Sequence, residues 1–207
     1  MDKQEIRSLM RQRAAAFLAS GQAEAETRRL LGALEALPAW QDARCVLLYM
    51  ALPDEVPTSP LLERWHGRKR LVLPRVVGSE LELREYRPGC LQEGYRGILE
   101  PSISTPLVDP SEIDLAVIPG MAFAPKWREG HIDDSMIGGR SPQTPCVASL
   151  PSHPNNVGYS RLGRGKGYYD RFLPRLKCPT VGLCYPFRLL ETLPSDPWDR
   201  PLDSLVY

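Results

Sequence analysis

The sequence lacks a long apolar run, a strong net charge and an apolar start. It has no apolar run of about 18 residues or more, so we expect no membrane-spanning helix. The 26 basic and 25 acidic side chains nearly cancel, and a formal net charge of +1 predicts no general affinity for nucleic acid or membrane. The first residues are charged and lack an apolar segment, so we also expect no signal peptide.

Paired cysteines are also absent. The five cysteines are scattered and odd in number, and no two of them form a C-x-x-C pair. This usage is typical of reduced thiols, and we therefore expect a cytoplasmic protein.

The apolar residues follow the pattern of an α/β fold. With 207 residues, 43% hydrophobic and 25% charged, the chain has the size and composition of one globular domain. Apolar runs alternate with segments of helical periodicity, which predicts an α/β class with a mainly parallel sheet. The expected helices are Lys3–Leu18, Glu24–Leu37 and Ser59–Trp65. The expected strands are Arg44–Met50, Arg70–Val76, Leu81–Tyr86, Ile113–Ile118, Pro179–Tyr185 and Asp203–Tyr207.

One segment shows neither the periodicity of a helix nor the apolar pattern of a strand. Residues 124–160 are rich in proline, serine, glycine and asparagine, and they show no sustained apolar pattern. Irregular loops of this length are uncommon in compact domains and are usually functional or disordered. We interpret this segment as an insertion that leads into the most informative motif of the chain.

That motif is RLGRGKGYYDRFL, residues 161–173. Alternating glycines let a backbone approach a ligand closely, and successive N–H groups in such a turn can bind an anion. Arg161, Arg164 and Lys166 add positive charge at the same place. The segment therefore predicts a phosphate site, and Asp170 is the nearby acid that could bring a divalent cation to the phosphate.

The spacing of the motif excludes two common phosphate loops. It lacks the GxxxxGK[ST] pattern of a P-loop, and Tyr168 stands where GxGxxG would need its last glycine. A surface turn with solvated cations therefore stays open as an alternative. Pro174 requires the following helix to be short, kinked or late in starting. Tyr168 and Tyr169 could stack on a flat ligand, but adjacent residues point in different directions, so at least one should lie in the core.

Two other places in the chain carry charges that could serve the same site. Lys3 and Arg7 are four residues apart, so they share one helix face and could reach a polyphosphate. Taken alone, a solvated helix start is the more common explanation for two such cations. Glu55 follows the predicted strand Arg44–Met50, and ligands of parallel sheets bind beyond the carboxyl ends of strands. An ordinary charged loop residue is the alternative for Glu55.

Together these segments resemble the 5-formyltetrahydrofolate cyclo-ligase family along most of the chain. The resemblance rests on the Lys3–Arg7 helix, LLYMALPDEVPTSPLL (47–62), LAVIPGMAF (115–123), the glycine motif and the tail LPSDPWDRPLDSLVY (193–207). It implies a single three-layer α/β/α-type domain over residues 1–207. It also implies ATP- and Mg²⁺-dependent conversion of 5-formyltetrahydrofolate to 5,10-methenyltetrahydrofolate, with release of ADP and phosphate.

The resemblance also implies roles for individual residues. Arg164 and Lys166 are the expected catalytic cations, and Asp170 and Asp203 resemble the magnesium-linked acids. The implied ATP contacts are Lys3, Arg7, Arg161, Leu162, Gly163, Arg164, Gly165, Lys166, Gly167, Tyr168 and Tyr169. The implied folate contacts are Met50, Glu55, Arg164, Gly165, Lys166, Gly167 and Tyr168.

Two other functions stay open at this point. One is a catalytically silent paralogue that binds folate or nucleotide as a regulatory module, with the insertion at about 124–160 as its contact surface. The other is a different activity on a similar scaffold, such as sugar-phosphate isomerisation or acyl transfer. The expected partners are the two small-molecule substrates, with no nucleic acid or membrane, and we expect a monomer.

Overall fold

The computed structural model describes residues 1–127, 147–148 and 157–207. The helices are α1 (Lys3–Ala19), α2 (Ala23–Glu35), α3 (Pro38–Asp42), α4 (Ser59–Trp65) and α5 (Tyr168–Phe172). The first six strands are β1 (Cys45–Leu47), β2 (Arg70–Val77), β3 (Glu80–Glu85), β4 (Leu91–Glu93), β5 (Leu99–Pro101) and β6 (Leu115–Ile118). The others are β7 (Ala122–Trp127), β8 (Val147–Ala148), β9 (Val157–Leu162), β10 (Thr180–Leu183) and β11 (Ser204–Val206).

The central sheet has seven of these strands in the order β3-β2-β1-β6-β10-β11-β8. The five inner strands are mutually parallel, and the two edge strands β3 and β8 are antiparallel to their neighbours. The inner strands carry short apolar runs because both sheet faces are covered. The expected α/β class with a mainly parallel sheet is therefore confirmed.

The two faces of the sheet pack against different layers. On one face, α2, α3 and α4 bury leucines and Trp40 against Val46, Leu71 and their neighbours. On the other face, α5 and the ribbon formed by β7 and β9 bury Phe172, Phe123 and Tyr159 against alternate strand residues. The fold is thus three-layered, although the second outer layer holds only one five-residue helix.

The first helix begins at a capping box. Asp2 accepts hydrogen bonds from the backbone N–H groups of Gln4 and Glu5, and Glu5 accepts one from the N–H of Asp2. Such a capping box stabilises a helix start by about 1 kcal/mol. On its inner side, Ile6 and Met10 pack against Met121 and Leu162. These contacts fix the directions of Lys3 and Arg7.

The expectation of an irregular segment over residues 124–160 is wrong at both of its ends. Its ends form β7 and β9, which pair antiparallel from Ala122–Leu162 to Trp127–Val157. The sequence pattern missed this ribbon because Pro125 interrupts one strand and glycine and polar residues dilute the other. Residues 128–146 and 149–156 lie outside the described part of the chain, as does most of the expected contact surface. Within residues 1–127, 147–148 and 157–207, no helix has the length and apolar content to cross a bilayer.

Candidate functional site

A cleft with a volume of about 520 Å³ lies where the start of α1, the glycine loop after β9 and the segment before β11 meet. Volumes of this size suit small-molecule ligands. The lining residues are Lys3, Arg7, Arg161, Leu162, Gly163, Gly165, Lys166, Gly167, Asp170, Arg171, Asp196, Trp198 and Asp199.

The glycine loop holds its shape through two residues with positive φ. Gly165 has φ +94° and Gly167 has φ +70°, values that other residues rarely adopt. The Arg7 side chain packs over the loop, where its Nε donates a hydrogen bond to the carbonyl oxygen of Gly163 at 2.9 Å. Gly167 then caps α5, which ends before Pro174 in a 3-10 turn. Of the three alternatives that Pro174 left open, the structure has the short helix.

Lys3 joins the two ends of the chain across the cleft. Its Nζ lies 2.7 Å from an Asp196 oxygen and 2.5 Å from an Asp199 oxygen. Burial favours the neutral amine, but these carboxylates outweigh it and raise the pKa of Lys3. The pKa of Asp199 is lowered against burial by the N–H of Asp196 and by Lys3. Lys3 and Asp199 are therefore both charged near neutral pH.

Arg161 organises the inner wall of the cleft. Its side chain is buried, and its Nη2 donates to Asp170 at 2.6 Å. Its guanidinium carbon also lies 5.5 Å from the centre of the Tyr169 ring. Tyr168 and Tyr169 both pack partly against the core, and Tyr168 meets Tyr95 edge to face. The two tyrosines thus support the loop from beneath.

The cleft is suited to an anion. Among the described residues, it is lined by five cationic side chains and three carboxylates. Lys166 is exposed, and within the described part of the chain it forms no ion pair. Arg171 donates to the carbonyl oxygens of Ser79 and Lys166, which brings its charge to the same rim. A polyphosphate would find a preformed, positively charged loop here.

Beside the cleft, Arg164 turns toward two acids. Its Nε donates to Glu55 Oε1 at 3.1 Å, and its Nη2 donates to Asp54 Oδ1. Burial raises the pKa of Glu55, even though the guanidinium of Arg164 opposes this shift. Burial also acts on Asp54, but Arg164 and Arg188 outweigh it and lower the pKa of Asp54. The pKa values of these two adjacent carboxyl groups are thus shifted in opposite directions.

Most expected ATP residues lie together. Lys3, Arg7 and residues 161–163, 165–167 and 170 line the cleft. Arg164, Tyr168 and Tyr169 belong to the same loop but point away from the lining. Glu55 is buried past the end of β1, as expected. Met50 follows the same strand. It is partly buried against the core on the sheet face that α2, α3 and α4 cover.

The structure does not bring Asp203 to the cleft. Its Oδ2 accepts hydrogen bonds from the backbone N–H of Thr180 at 2.9 Å and from the Thr180 hydroxyl at 2.8 Å. These contacts join the amino ends of β10 and β11. The cleft lies near Pro119, past the carboxyl end of β6, so Asp203 stands at the opposite edge of the sheet from Asp170.

Sequence reasoning also missed several cleft residues. Asp196, Trp198 and Asp199 precede β11, and Arg171 lies one residue beyond Asp170. The tail DPWDRPLD offers three aspartates, and their spacing alone does not say which of them faces the cleft.

Three carboxylates of the cleft have the donor chemistry for a hard cation: Asp170, Asp196 and Asp199. In the part of the chain described, no three acidic, histidine or cysteine side chains converge closely enough to hold a metal by themselves. Mg²⁺ commonly takes only one or two carboxylates and completes its shell with phosphate and water. The donor set therefore fits a cation that arrives with a phosphate ligand.

The fold and the cleft together define a class: an α/β protein with a cationic glycine loop suited to polyphosphate, beside a buried acid at the carboxyl edge of the sheet. The model of the 5-formyltetrahydrofolate cyclo-ligase family matches residues 1–130 and 155–207. The chain therefore belongs to this family, which is a family of enzymes. The unmatched stretch falls inside the segment that we interpreted as an insertion.

Individual relatives agree with this assignment. The 5-formyltetrahydrofolate cyclo-ligase of Haemophilus influenzae is 27% identical over 99% of this chain and 96% of its own length. The Escherichia coli protein of the same name is 28% identical over 79% of this chain and 78% of its own. The solved 5,10-methenyltetrahydrofolate synthetase of Aquifex aeolicus is 32% identical with a TM-score of 0.76, covering 100% of this chain and 89% of its own. These relatives favour an enzyme over a silent binding module.

Proposed function

We propose that this chain uses ATP and Mg²⁺ to cyclise 5-formyltetrahydrofolate to 5,10-methenyltetrahydrofolate, with release of ADP and phosphate. The observation that carries the proposal is the pairing of two sites. A cleft lined by Lys3, Arg7 and Lys166 adjoins a buried Glu55 that is held by Arg164. Phosphoryl transfer to a second substrate requires that the phosphate site and the site of the acceptor lie next to each other.

The reaction has two steps in this scheme. The formyl oxygen attacks the γ-phosphorus, and the bond to the β-γ bridging oxygen breaks, so ADP leaves. The folate N10 then attacks the activated formyl carbon and loses its proton. The carbon–oxygen bond breaks, and phosphate departs with the former formyl oxygen. Atoms and charges balance without a covalent bond to the protein.

The protein contributes positioning and charge. Lys3, Arg7 and Lys166 would bind the phosphate oxygens, and the backbone of the glycine loop would supply N–H donors. The side chain of Arg164 extends from the loop to Glu55, which places its charge at the border of the two sites. We propose that Glu55 orients the pterin. It is a buried acid, and apart from Arg164 its carboxylate accepts a hydrogen bond from the backbone N–H of Leu52.

When bound, Mg²⁺ would neutralise phosphate charge during the transfer. We propose Asp170 and Asp199 as the residues that would hold it, in place of the pair Asp170 and Asp203 that the family resemblance implies. Asp199 is the more buried of the two acids that face Lys3, with a side chain 16% exposed compared with 43% for Asp196. Lys3 forms an ion pair with Asp199, so a cation and its phosphates would have to share or replace that pair.

The proposal is tested by mixing the purified protein with 5-formyltetrahydrofolate, ATP and Mg²⁺ and by following methenyl absorbance. Product should form only when all three are present. Binding of both substrates without product would favour the silent paralogue, and absence of both binding and product would favour another activity. Monomeric state and cytoplasmic location stay predictions, to be checked by light scattering and by cell fractionation.

A further inference from the structure

Arg188 is a fully buried charged residue that the proposed reaction leaves without a role. It is 1% exposed and ends the 3-10 turn Pro186–Arg188, which follows β10. Its Nη1 donates to the carbonyl oxygen of Met121 at 2.7 Å. Its Nη2 donates to the carbonyl oxygen of Asp54 and, at 3.0 Å, to Asp54 Oδ2. A buried guanidinium is costly unless such partners satisfy it.

Asp54 connects this buried charge to the site. One of its oxygens accepts from Arg188, and the other accepts from Arg164 Nη2. Arg164 also donates to Glu55, and its Nη2 lies 3.0 Å from Glu55 Oε1. A continuous chain of charge-assisted hydrogen bonds thus runs from Arg188 through Asp54 to Arg164 and Glu55.

The order of charges gives this chain a geometric effect. Glu55 and Asp54 both contact Nη2 of Arg164, and Glu55 also accepts from its Nε. The two carboxylates thus hold one edge of the guanidinium, which restricts its plane as well as its position. Asp54 stands in the loop between β1 and α4, and Arg188 ties the backbone and the side chain of that residue to the sheet edge at Met121. Without Arg188, the loop would lose two of the anchors that hold Asp54 toward Arg164.

We propose that Arg188 and Asp54 are positioning residues, which fix the guanidinium of Arg164 beside Glu55 and act on the reaction only through Arg164. The kinetic part of this inference rests on the proposed function. The lowered pKa of Asp54 agrees with it, because an ionised Asp54 binds both arginines over the whole neutral range.

The test uses Asp54→Asn, Arg188→Met, Arg164→Ala and the two double variants that combine Arg164→Ala with each of the others. Asp54→Asn and Arg188→Met should each lower kcat about tenfold, because a small misplacement of a charged group is costly in phosphoryl transfer. KM for ATP should stay within about twofold, because the lining cations remain in place. In the Arg164→Ala background, neither change should lower kcat further by more than about twofold.

Arg84→Met is the matched control for loss of a buried arginine. Arg84 is 6% exposed and donates to the carbonyl oxygens of Ile103 and Thr105, away from the cleft. This variant should lower Tm without lowering kcat at a temperature where it is folded. If Arg188→Met fails to fold, Asp54→Asn decides the question, because the asparagine keeps the shape of the side chain.

A readout independent of activity is the NMR signal of the Arg164 Nε–H, which donates to Glu55. The signal should exchange slowly with solvent in the wild type and quickly in Asp54→Asn. Multiplicative kcat losses in the double variants, or an unchanged Nε–H signal in Asp54→Asn, would overturn the inference. If the wild type shows no turnover, the proposed function fails, and the NMR comparison still decides whether Asp54 holds Arg164.

Discussion

The carboxylate of Asp199 lies 2.5 Å from Nζ of Lys3, and this ion pair ties the first turn of the protein to the segment before its last strand. Both residues line the cleft that also contains the glycine loop. The pair places a cation and a candidate metal ligand at the same point, so nucleotide and Mg²⁺ binding should be coupled there.

Asp199 should therefore govern the Mg²⁺ requirement, and Asp203 should not. We expect Asp199→Asn to raise the Mg²⁺ concentration for half-maximal activity about tenfold, as the loss of one ligand or of a close partner does. Asp203→Asn should change it by less than about twofold, because Asp203 bonds Thr180 at the amino ends of the strands. Activity titrations with Mg²⁺ at saturating ATP measure both. An equal shift in the two variants would contradict the placement of the metal.

Lys166 should contribute directly to phosphoryl transfer. It is exposed at the cleft and, among the described residues, has no carboxylate partner, so its charge is available for the phosphates. We expect Lys166→Ala to lower kcat by at least about tenfold, because it removes a cation from the transferring group. Lys177→Ala is the matched control, since Lys177 is also exposed but does not line the cleft. Near-wild-type kinetics for Lys166→Ala would exclude Lys166 from the site.

The conformation of Gly165 should matter for activity as well as for stability. At φ +94° an alanine is strained by about 1–2 kcal/mol, which should lower Tm and reshape the loop under Arg7. Gly89 has φ +79° with open space around it, so Gly89→Ala should show a similar loss of stability. We expect a loss of kcat/KM for ATP only in Gly165→Ala. Equal kinetics in the two variants would show that the loop is not a phosphate site.

The raised pKa of Glu55 should be visible in two pH profiles. The folded protein holds this proton above the ordinary carboxyl pKa of 4.5, because burial disfavours the charge. Wild-type stability should therefore fall through this group as pH rises from 4.5 to the folded pKa. Because Glu55→Gln removes the titration, the Tm of the variant relative to the wild type should rise with pH across that window.

The kinetic counterpart is the acid limb of kcat/KM for the folate. If ionised Glu55 orients the pterin, this limb should lie above pH 4.5 in the wild type. It should be absent from the residual activity of Glu55→Gln. An acid limb at or below the ordinary value, or one that survives in the variant, would remove Glu55 from the folate site.

The sequence was informative where the signal is local. Lys3 and Arg7 share a face because helical periodicity requires it, and the glycine loop is recognisable from its own residues. The parallel strands were found because a short, nearly continuous apolar run is typical of a strand that is buried on both faces. The same reasoning placed Glu55 past β1.

Several of the contacts and elements that the sequence did not predict are defined by distant segments. Asp199 and Asp203 differ by four positions, and only the pairing of β10 with β11 shows which of them faces the cleft. Arg188 meets Asp54 across 134 positions of sequence, so no local pattern announces their contact. Strands β7 and β9 were missed because each contains residues that interrupt a period and is defined by its partner.

The most direct test of the central claim follows one atom. The substrate is 5-formyltetrahydrofolate with ¹⁸O in the formyl group, and the phosphate released during turnover with ATP and Mg²⁺ is weighed by mass spectrometry. If the formyl oxygen attacks the γ-phosphate, each phosphate carries one ¹⁸O and appears together with one methenyl product and one ADP. Phosphate without the label, at a matching yield of methenyl product, would contradict the account.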